Sequence, residues 1–446
     1  MKQVNLLTDS PRRLFFHYLG PTIGSSMVTS IYILADTIMV GQGVGDAGLA
    51  ALTIFMPIVA SFFALGLLLG VGGGVLMSVA KGSGNESLAH KYFSTAMISA
   101  AVVSVCFAVF GAIFFDQMMY ALGADTTNIE LVRGYGLCYT VSAPLFIFSS
   151  SLQSFIRNDK SPRHAMIAVL TGSGLNILLD YLFIFVFKMG MFGASFATSI
   201  GTSITVCILV IHFFTKKNTM RFSFRFFSIK ALWEIAKCGF SSFLIECANA
   251  VLVFVFNHTL LKYIGSVGVT VYSIMSNVAV VCMSLFNGVT LAAQPIIATN
   301  HGADNHKRVL QVRHIGTITS SVIAVIIFCI GFFFPDLLIY SYVKGPTPEI
   351  LELARYALRI YFFAYLFMNF NIFFSGYFQS TLRPVAAITI QILRSLLLSS
   401  VLVSVLPMIF GADAIWYAVP VTECITFFVA MAFLFFGKFQ KTKEAK

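Results

Sequence analysis

The chain has 446 residues, of which 58% are hydrophobic and only 11% charged. A soluble domain carries about a quarter of its residues as charges, and a water-facing surface of this composition would aggregate, so a soluble fold is excluded. The net charge of +11 invites a nucleic-acid reading. The basic residues, however, alternate with long apolar stretches in a way that marks membrane topology instead.

Met1 to Arg13 is polar and lacks a small-residue cleavage site, so the first apolar stretch is expected to stay as a transmembrane helix. Apolar runs of about 20 residues or more suffice to cross a bilayer. They predict six spans at 14–40, 51–80, 93–115, 135–156, 165–187 and 193–214. Six more follow at 237–261, 268–299, 314–334, 356–379, 386–407 and 414–437. The expected fold class is an all-α polytopic membrane protein with twelve transmembrane helices in two six-helix bundles.

Span 1 contains Pro21, which removes a backbone hydrogen bond and favours a kink, and Asp36 in its outer part. Span 2 carries Gly70 and Gly72 to Gly74. No Gly-Lys-Ser/Thr follows them, so they read as close helix packing, not a phosphate loop. On span 5, Asn176 and Asp180 are four apart and share a helix face. Thr198 lies on span 6 after a short turn. Asp36, Asn176, Asp180 and Thr198 are expected to converge in the outer half of the first bundle. Carboxylate, amide and hydroxyl oxygens suit a hard cation such as sodium, and two nearby carboxylates suit a proton. The competing reading is that the aspartates only tie helices together.

Ionisable groups inside spans are costly and usually functional. The second bundle has three near mid-depth: Glu246 on span 7, Arg394 on span 11 and Glu423 on span 12. Arg394 is expected to pair with Glu423 or Glu246, leaving one carboxylate to attract a cationic substrate. Aromatic and Met side chains are abundant; a stripe of them is more often lipid-facing or core than a binding site, although such side chains also suit a loose pocket for hydrophobic cations.

With the N-terminus placed in the cytoplasm, inner segments hold nearly all the Lys and Arg. Outside lie only Arg133, Lys188, Lys262, Lys344, Arg355 and Arg359, with Arg394 inside a span. Residues such as Lys2, Arg157, Lys438 and Lys446 count among the inner charges. Both termini are therefore expected in the cytoplasm. The eight cysteines form no C-x-x-C pair and sit in apolar runs, as small core residues do. The histidines flank spans without metal-ligand spacing, and no metal is assigned.

The chain repeats itself at a spacing of about 220 residues. Lys81-Gly-Ser-Gly-Asn-Glu matches His301-Gly-Ala-Asp-Asn-His. Ser161-Pro-Arg before span 5 parallels Leu382-Arg-Pro before span 11, and Phe192-Gly-Ala parallels Phe410-Gly-Ala. Six spans per copy gives a parallel repeat with the substrate path between the halves. The division expected is an N-terminal lobe over 1–214, a cytoplasmic linker over 215–236 and a C-terminal lobe over 237–446. Alternating access uses two bodies that rock about one site, which favours a carrier over a channel or a membrane enzyme.

The segments Gly20-Pro-Thr, Ala35-Asp-Thr-Ile-Met-Val-Gly41, Ser154-Phe-Ile-Arg157 with Ser161-Pro162, Asn176-x3-Asp180, Gly193-x3-Ala-Thr198 and Trp416-x3-Pro420-x2-Glu423 resemble multidrug and toxic compound extrusion (MATE) transporters. The resemblance spans nearly the whole chain and is strongest to the bacterial branch of MepA-type exporters. It implies export of small hydrophobic cations by antiport with H+ or Na+, with no further cofactor. It carries the cation-site role onto Asp36, Asn176, Asp180 and Thr198, adds Gln153 at a position where some members have an amide, and makes Pro21 the hinge of helix 1. Some members place an acidic ligand on helix 10, which has no carboxylate here. The resemblance further implies a multi-pass protein of the cell membrane acting as a monomer in the lipid bilayer, not an enzyme and without nucleic-acid partners. The alternative is a lipid-linked precursor or polysaccharide flippase of the same superfamily. Anionic headgroups call for several intramembrane cations, and Arg394 alone stands against four acids.

Overall fold

A computed structural model describes residues 4–343 and 345–444. Lys2, Lys344 and Lys446 of the charge pattern lie outside the described residues. The described residues form helices and no strand. The first lobe comprises α1 (Pro11–Gly43), α2 (Asp46–Gly82), α3 (Glu86–Ile113), α4 (Ile129–Val141 and Ala143–Asn158), α5 (Pro162–Asp180) and α6 (Gly190–Ile211). The second comprises α7 (Ile229–Tyr263), α8 (Ser266–Gly302), α9 (His306–Phe333), α10 (Pro348–Ser380), α11 (Pro384–Ile392 and Leu398–Phe410) and α12 (Ala418–Glu444). Among the described residues, eleven helical segments are long and apolar enough to cross a membrane, and α4 makes a twelfth as a pair bent by 52°. The bend falls at Ser142, just before Pro144, whose ring cannot continue the hydrogen-bond ladder. Helices satisfy their own backbone groups, as lipid demands.

All twelve expected spans are present, most of them longer than hydropathy suggests. Polar caps explain the difference. Asn85 and Asn305, the matched asparagines of the repeat, are the N-caps of α3 and α9, accepting from Leu88 N at 3.0 Å and Arg308 N at 3.3 Å. Ser228 caps α7, which starts at Ile229, not 237, because Lys230, Glu234 and Lys237 hide its amphipathic first two turns from hydropathy. At 1.5 Å per residue, the 37 residues of α2 span about 55 Å, so the helix tilts or projects beyond a hydrocarbon core of about 30 Å.

The duplication reaches the backbone. Lys160 (φ 62°) and Leu382 (φ 54°) take the same left-handed turn before α5 and α11, although neither side chain favours it. Two ion pairs repeat as well: Arg133 with Asp116, and Arg355 with Asp336 at 2.6 Å.

The first lobe's core runs its full depth and takes in Met220 of the 215–228 connection and Ala231, Ile235 and Cys238 of α7, whereas the second lobe's separate core, around Phe256, Tyr272 and Trp416, lies in the half away from that connection. In the half near that connection, the linker half, the lobes are in backbone contact. A Cβ on Gly239 of α7 would overlap the Leu68 carbonyl of α2; one on Gly82 would overlap Thr299 O, and one on Gly302 would overlap Val79 O. Helix α1 bridges both bodies. Its first turns put Leu14, Phe15 and Tyr18 into a core shared with α8 to α12. Thr22 Oγ1 donates to Gly288 O of α8 at 2.8 Å.

Candidate functional site

A cavity of about 410 Å³ lies between the lobes, walled by α1, α2, α4 to α8, α10 and α11. Its volume falls within the range of drug-sized sites. Aromatic and Met side chains are a minority of its lining. Tyr32, Phe63, Phe146 and Met283 reach it, but hydroxyl and amide side chains dominate. The hydroxyls spend their protons on their own helices: Ser25 donates to Thr22 O at 3.1 Å and Thr29 to Ser25 O at 3.0 Å. They therefore present small, weakly polar surfaces. The other aromatics are elsewhere, either in core stacks such as Phe256 on Tyr272 at 4.5 Å or on the outer faces of helices, as Phe254 and Phe333 are.

On one side of the cavity the first lobe gathers Asp36, Asn176, Asp180 and Thr198, all buried. Two glycine contacts make this possible. Gly172 of α5 and Gly201 of α6 meet with no room for a Cβ on either. That crossing lets Asn176 Nδ2 donate to Thr198 Oγ1 at 3.2 Å, while Thr198 donates to Ala194 O at 3.0 Å. Gly43, at the end of α1, packs against Ile184, so α1 closes on the π turn Tyr181–Val186 that follows Asp180. Such turns recur at functional sites. Asp36 and Asp180 lie within electrostatic reach of each other, with Tyr32 and Tyr135 alongside.

Four buried oxygens here have no hydrogen-bond partner among the described residues: Asp36 Oδ1, both of Asp180 and Asn176 Oδ1. The Asn176 amide approaches Asp180 without closing a hydrogen bond. Buried carboxylate oxygens left bare are expensive, and a proton or a hard cation would satisfy them. Asn176 and Thr198 also line the cavity, whereas Asp36 and Asp180 sit behind it. Gln153 lines the cavity from α4 and donates to Ser149 Oγ at 3.2 Å; it makes no hydrogen bond to the other four. Pro21 is buried inside a continuous α1.

In the second lobe, Arg394 sits in a π turn, Leu393–Leu397, and closes on Glu423 with Nη2 to Oε1 at 2.7 Å. Asn371 Nδ2 donates to the other carboxylate oxygen at 2.7 Å. Both members are buried and neither lines the cavity. Glu246 does line it, with no ion-pair partner among the described residues.

One charged group escapes a reading of the sequence. Arg157 counts there as an anchor at the edge of a span. In the fold it is buried, lines the cavity and donates to Ser154 Oγ at 3.2 Å, with its Nε unpartnered. The next acid, Asp159, is committed elsewhere: it accepts from Lys81 Nζ at 2.5 Å and Thr219 N at 3.0 Å and lies 2.9 Å from His212 Nε2. Burial pushes the Asp159 carboxyl up, but these bonds outweigh it and hold it below its usual range. A signal for Arg157 existed in the repeat, where it aligns with Gln379, also a cavity residue.

The family model MatE matches residues 21–182 and again 238–405, one copy in each lobe. The chain belongs to the MatE family. Among its MatE relatives, the multidrug export protein MepA of Staphylococcus haemolyticus is 25% identical over 421 residues, covering 94% of this chain and 92% of that one. MepA of Staphylococcus aureus is 23% identical, covering 95% and 93%. The MatE fold is confirmed by a solved outward-facing multidrug resistance MATE transporter with a TM-score of 0.91 at 21% identity, covering 99% of this chain and 98% of that one. A crystal structure of a MATE protein in complex with MaL6 also has a TM-score of 0.91 at 21% identity, covering 99% of both chains.

Proposed function

We propose that this protein exports small hydrophobic organic cations across the cell membrane in exchange for protons or sodium ions. The observation that carries the reading is the group of four unpartnered oxygens on Asp36, Asn176 and Asp180, which shares Asn176 and Thr198 with the wall of the central cavity. An ion and a cargo molecule would therefore bind back to back against one pair of helices. Glu246, the unpaired carboxylate of the cavity, attracts the cation of the cargo.

The coupling runs through α1. One end of this helix carries Asp36; the other is packed into the second lobe and bonded to α8 by Thr22. Neutralising Asp36 removes the need to keep it apart from Asp180, and α1 adjusts about Pro21, where one backbone hydrogen bond is already missing. The adjustment shifts the contact with Gly288 and with it the seal between the lobes. The bias of basic residues supports a cytoplasmic linker half, and on that reading the conformation described is closed inward. The lobes, taken as 1–214 and 237–446 around a linker at 215–236, rock about the cavity, and one chain suffices.

The test is efflux of a fluorescent organic cation from proteoliposomes under an imposed proton or sodium gradient. Wild type is expected to respond to one gradient, and Asp36→Asn to lose that response while still binding the dye. No transport under either gradient by folded protein would reject antiport and favour a lipid-linked precursor flippase.

A further inference from the structure

A groove of about 410 Å³ lies on the second lobe between the end of α9 and the first turns of α10, at the end away from the linker half. Phe332, Ile360 and Phe363 wall it. The Phe363 ring is held edge-on against Phe328 at 4.9 Å and against Phe332 at 5.7 Å, so the wall is fixed before any occupant arrives. Phe333, Phe334 and Leu337, which follow Phe332 in the chain, are exposed. In a chain that spans a membrane, large apolar side chains this open mark a surface turned to lipid.

Glu352, Arg355 and Arg359 line the same groove. Arg355 spends its guanidinium on the two Asp336 oxygens, at 2.6 and 2.7 Å. Arg359 is exposed and makes no hydrogen bond or ion pair among the described residues. It lies about 16 Å along the axis of α10 from Pro348. Near the edge of the hydrocarbon, a guanidinium lays its stem on apolar walls and reaches for the phosphate level of the bilayer. The duplication shows that the scaffold does not require this group. Arg355 with Asp336 is repeated in the first lobe as Arg133 with Asp116. The first-lobe position matching Arg359, however, is Leu137, and those matching Phe332 and Phe363 are Ala112 and Val141. The ion pair belongs to the repeated fold; the added guanidinium and rings belong to the second lobe alone.

We propose that this groove binds one phospholipid, with its phosphodiester on Arg359 and an acyl chain along Phe332, Ile360 and Phe363. A guanidinium offers paired donors to two phosphate oxygens, and burial of the chain against the rings adds an apolar contribution. Glu352 selects among phosphates: its carboxylate repels a doubly charged free phosphate more strongly than a phosphodiester with a single charge. The site is separate from the central cavity, and the proposal stands whichever cargo or ion the protein moves.

The test is photolabelling of the full chain in a non-ionic maltoside detergent, read peptide by peptide by mass spectrometry. Two probes carry the same diazirine in one acyl chain: a phosphatidylglycerol, and the diacylglycerol that lacks its phosphate. Labelling of the α9 and α10 peptides is compared with that of a reference lipid face, the exposed Val102, Val105 and Val109 of α3. In wild type, the preference for phosphatidylglycerol over diacylglycerol should be about tenfold greater at the groove than at the reference face, the usual scale for a charge-assisted bond. Arg359→Gln should bring the groove down to the reference, and Arg359→Lys should keep part of the preference. Unlabelled phosphatidylglycerol should displace the probe, whereas inorganic phosphate in large excess should not. Equal preference at the two faces of wild type would overturn the proposal without recourse to a variant. A preference unchanged in Arg359→Gln would overturn it too, and displacement by inorganic phosphate would make the groove a site for soluble phosphate instead of lipid.

Discussion

Replacing Arg394 by Met separates a structural ion pair from a cargo-binding one. The guanidinium and the Glu423 carboxylate are about 4% and 3% exposed; Arg394 donates to both carboxylate oxygens and Asn371 to one of them. Removing one partner of such a pair strands a buried charge and costs about 3–5 kcal/mol. Asn371 still donates to Glu423 after the change, which puts Arg394→Met near the lower end, about 3 kcal/mol. Replacing both residues, Arg394→Met with Glu423→Leu, removes the stranded charge, and Asn371 keeps its bond to the Glu423 backbone carbonyl at 2.9 Å. The double variant is expected to recover most of the loss, a coupling that a double-mutant cycle measures. The assay is thermal unfolding in detergent followed by a fluorogenic maleimide, with the exposed Cys106, Cys207 and Cys247 replaced by Ala, so that the signal rises as the buried Cys238 and Cys282 come free. Because the pair does not line the cavity, efflux per folded molecule should stay near wild type. A double variant as unstable as the single ones, or a stable Arg394→Met that has lost transport, would refute a structural role and return Arg394 to the cargo path.

Two further perturbations probe the linker half. Gly302→Val puts a side chain where the Val79 carbonyl lies. The backbones must part, so spin labels at the exposed Ser83 and Asp304 should move apart; an unchanged distance would mean the seal lies elsewhere. Asp159→Asn removes the acceptor of Lys81 and Thr219. Trypsin should then cut several-fold faster at Lys216, Lys217 or Arg221, and the Thr219 amide should lose its protection from hydrogen exchange. In wild type this latch has a defined pH sense. Its folded carboxyl lies below the usual value, about 3.9 when unfolded, so its contribution is present above that value and fades only as pH falls through the lower folded one. After correction for intrinsic rates, Thr219 protection should be flat from pH 7 to about 5; a loss near pH 6 would assign the switch to a histidine instead.

The twelve spans were legible because lipid admits only self-satisfied helices, which makes hydropathy a direct record of the fold. The duplication was legible for a related reason: Asn85 and Asn305 act within their own turns, so the same local signal recurs. Asn176 and Asp180 could be placed on one face by counting along a single helix. Contacts between helices could not be counted in this way. That Arg394 closes on Glu423 and leaves Glu246 facing the cavity depends on how α7, α11 and α12 are rotated about their axes, and the π turn at Leu393–Leu397 alters the helical count at that point. Arg157 misled for the same reason. Near the end of a span a guanidinium ordinarily reaches water, and only the packing of α4 against its neighbours turned this one inward. The cavity's hydroxyl lining was likewise a tertiary decision. Composition reports how many aromatics a chain has; which of them meet lipid, core or cargo is set by which faces the helices turn toward one another.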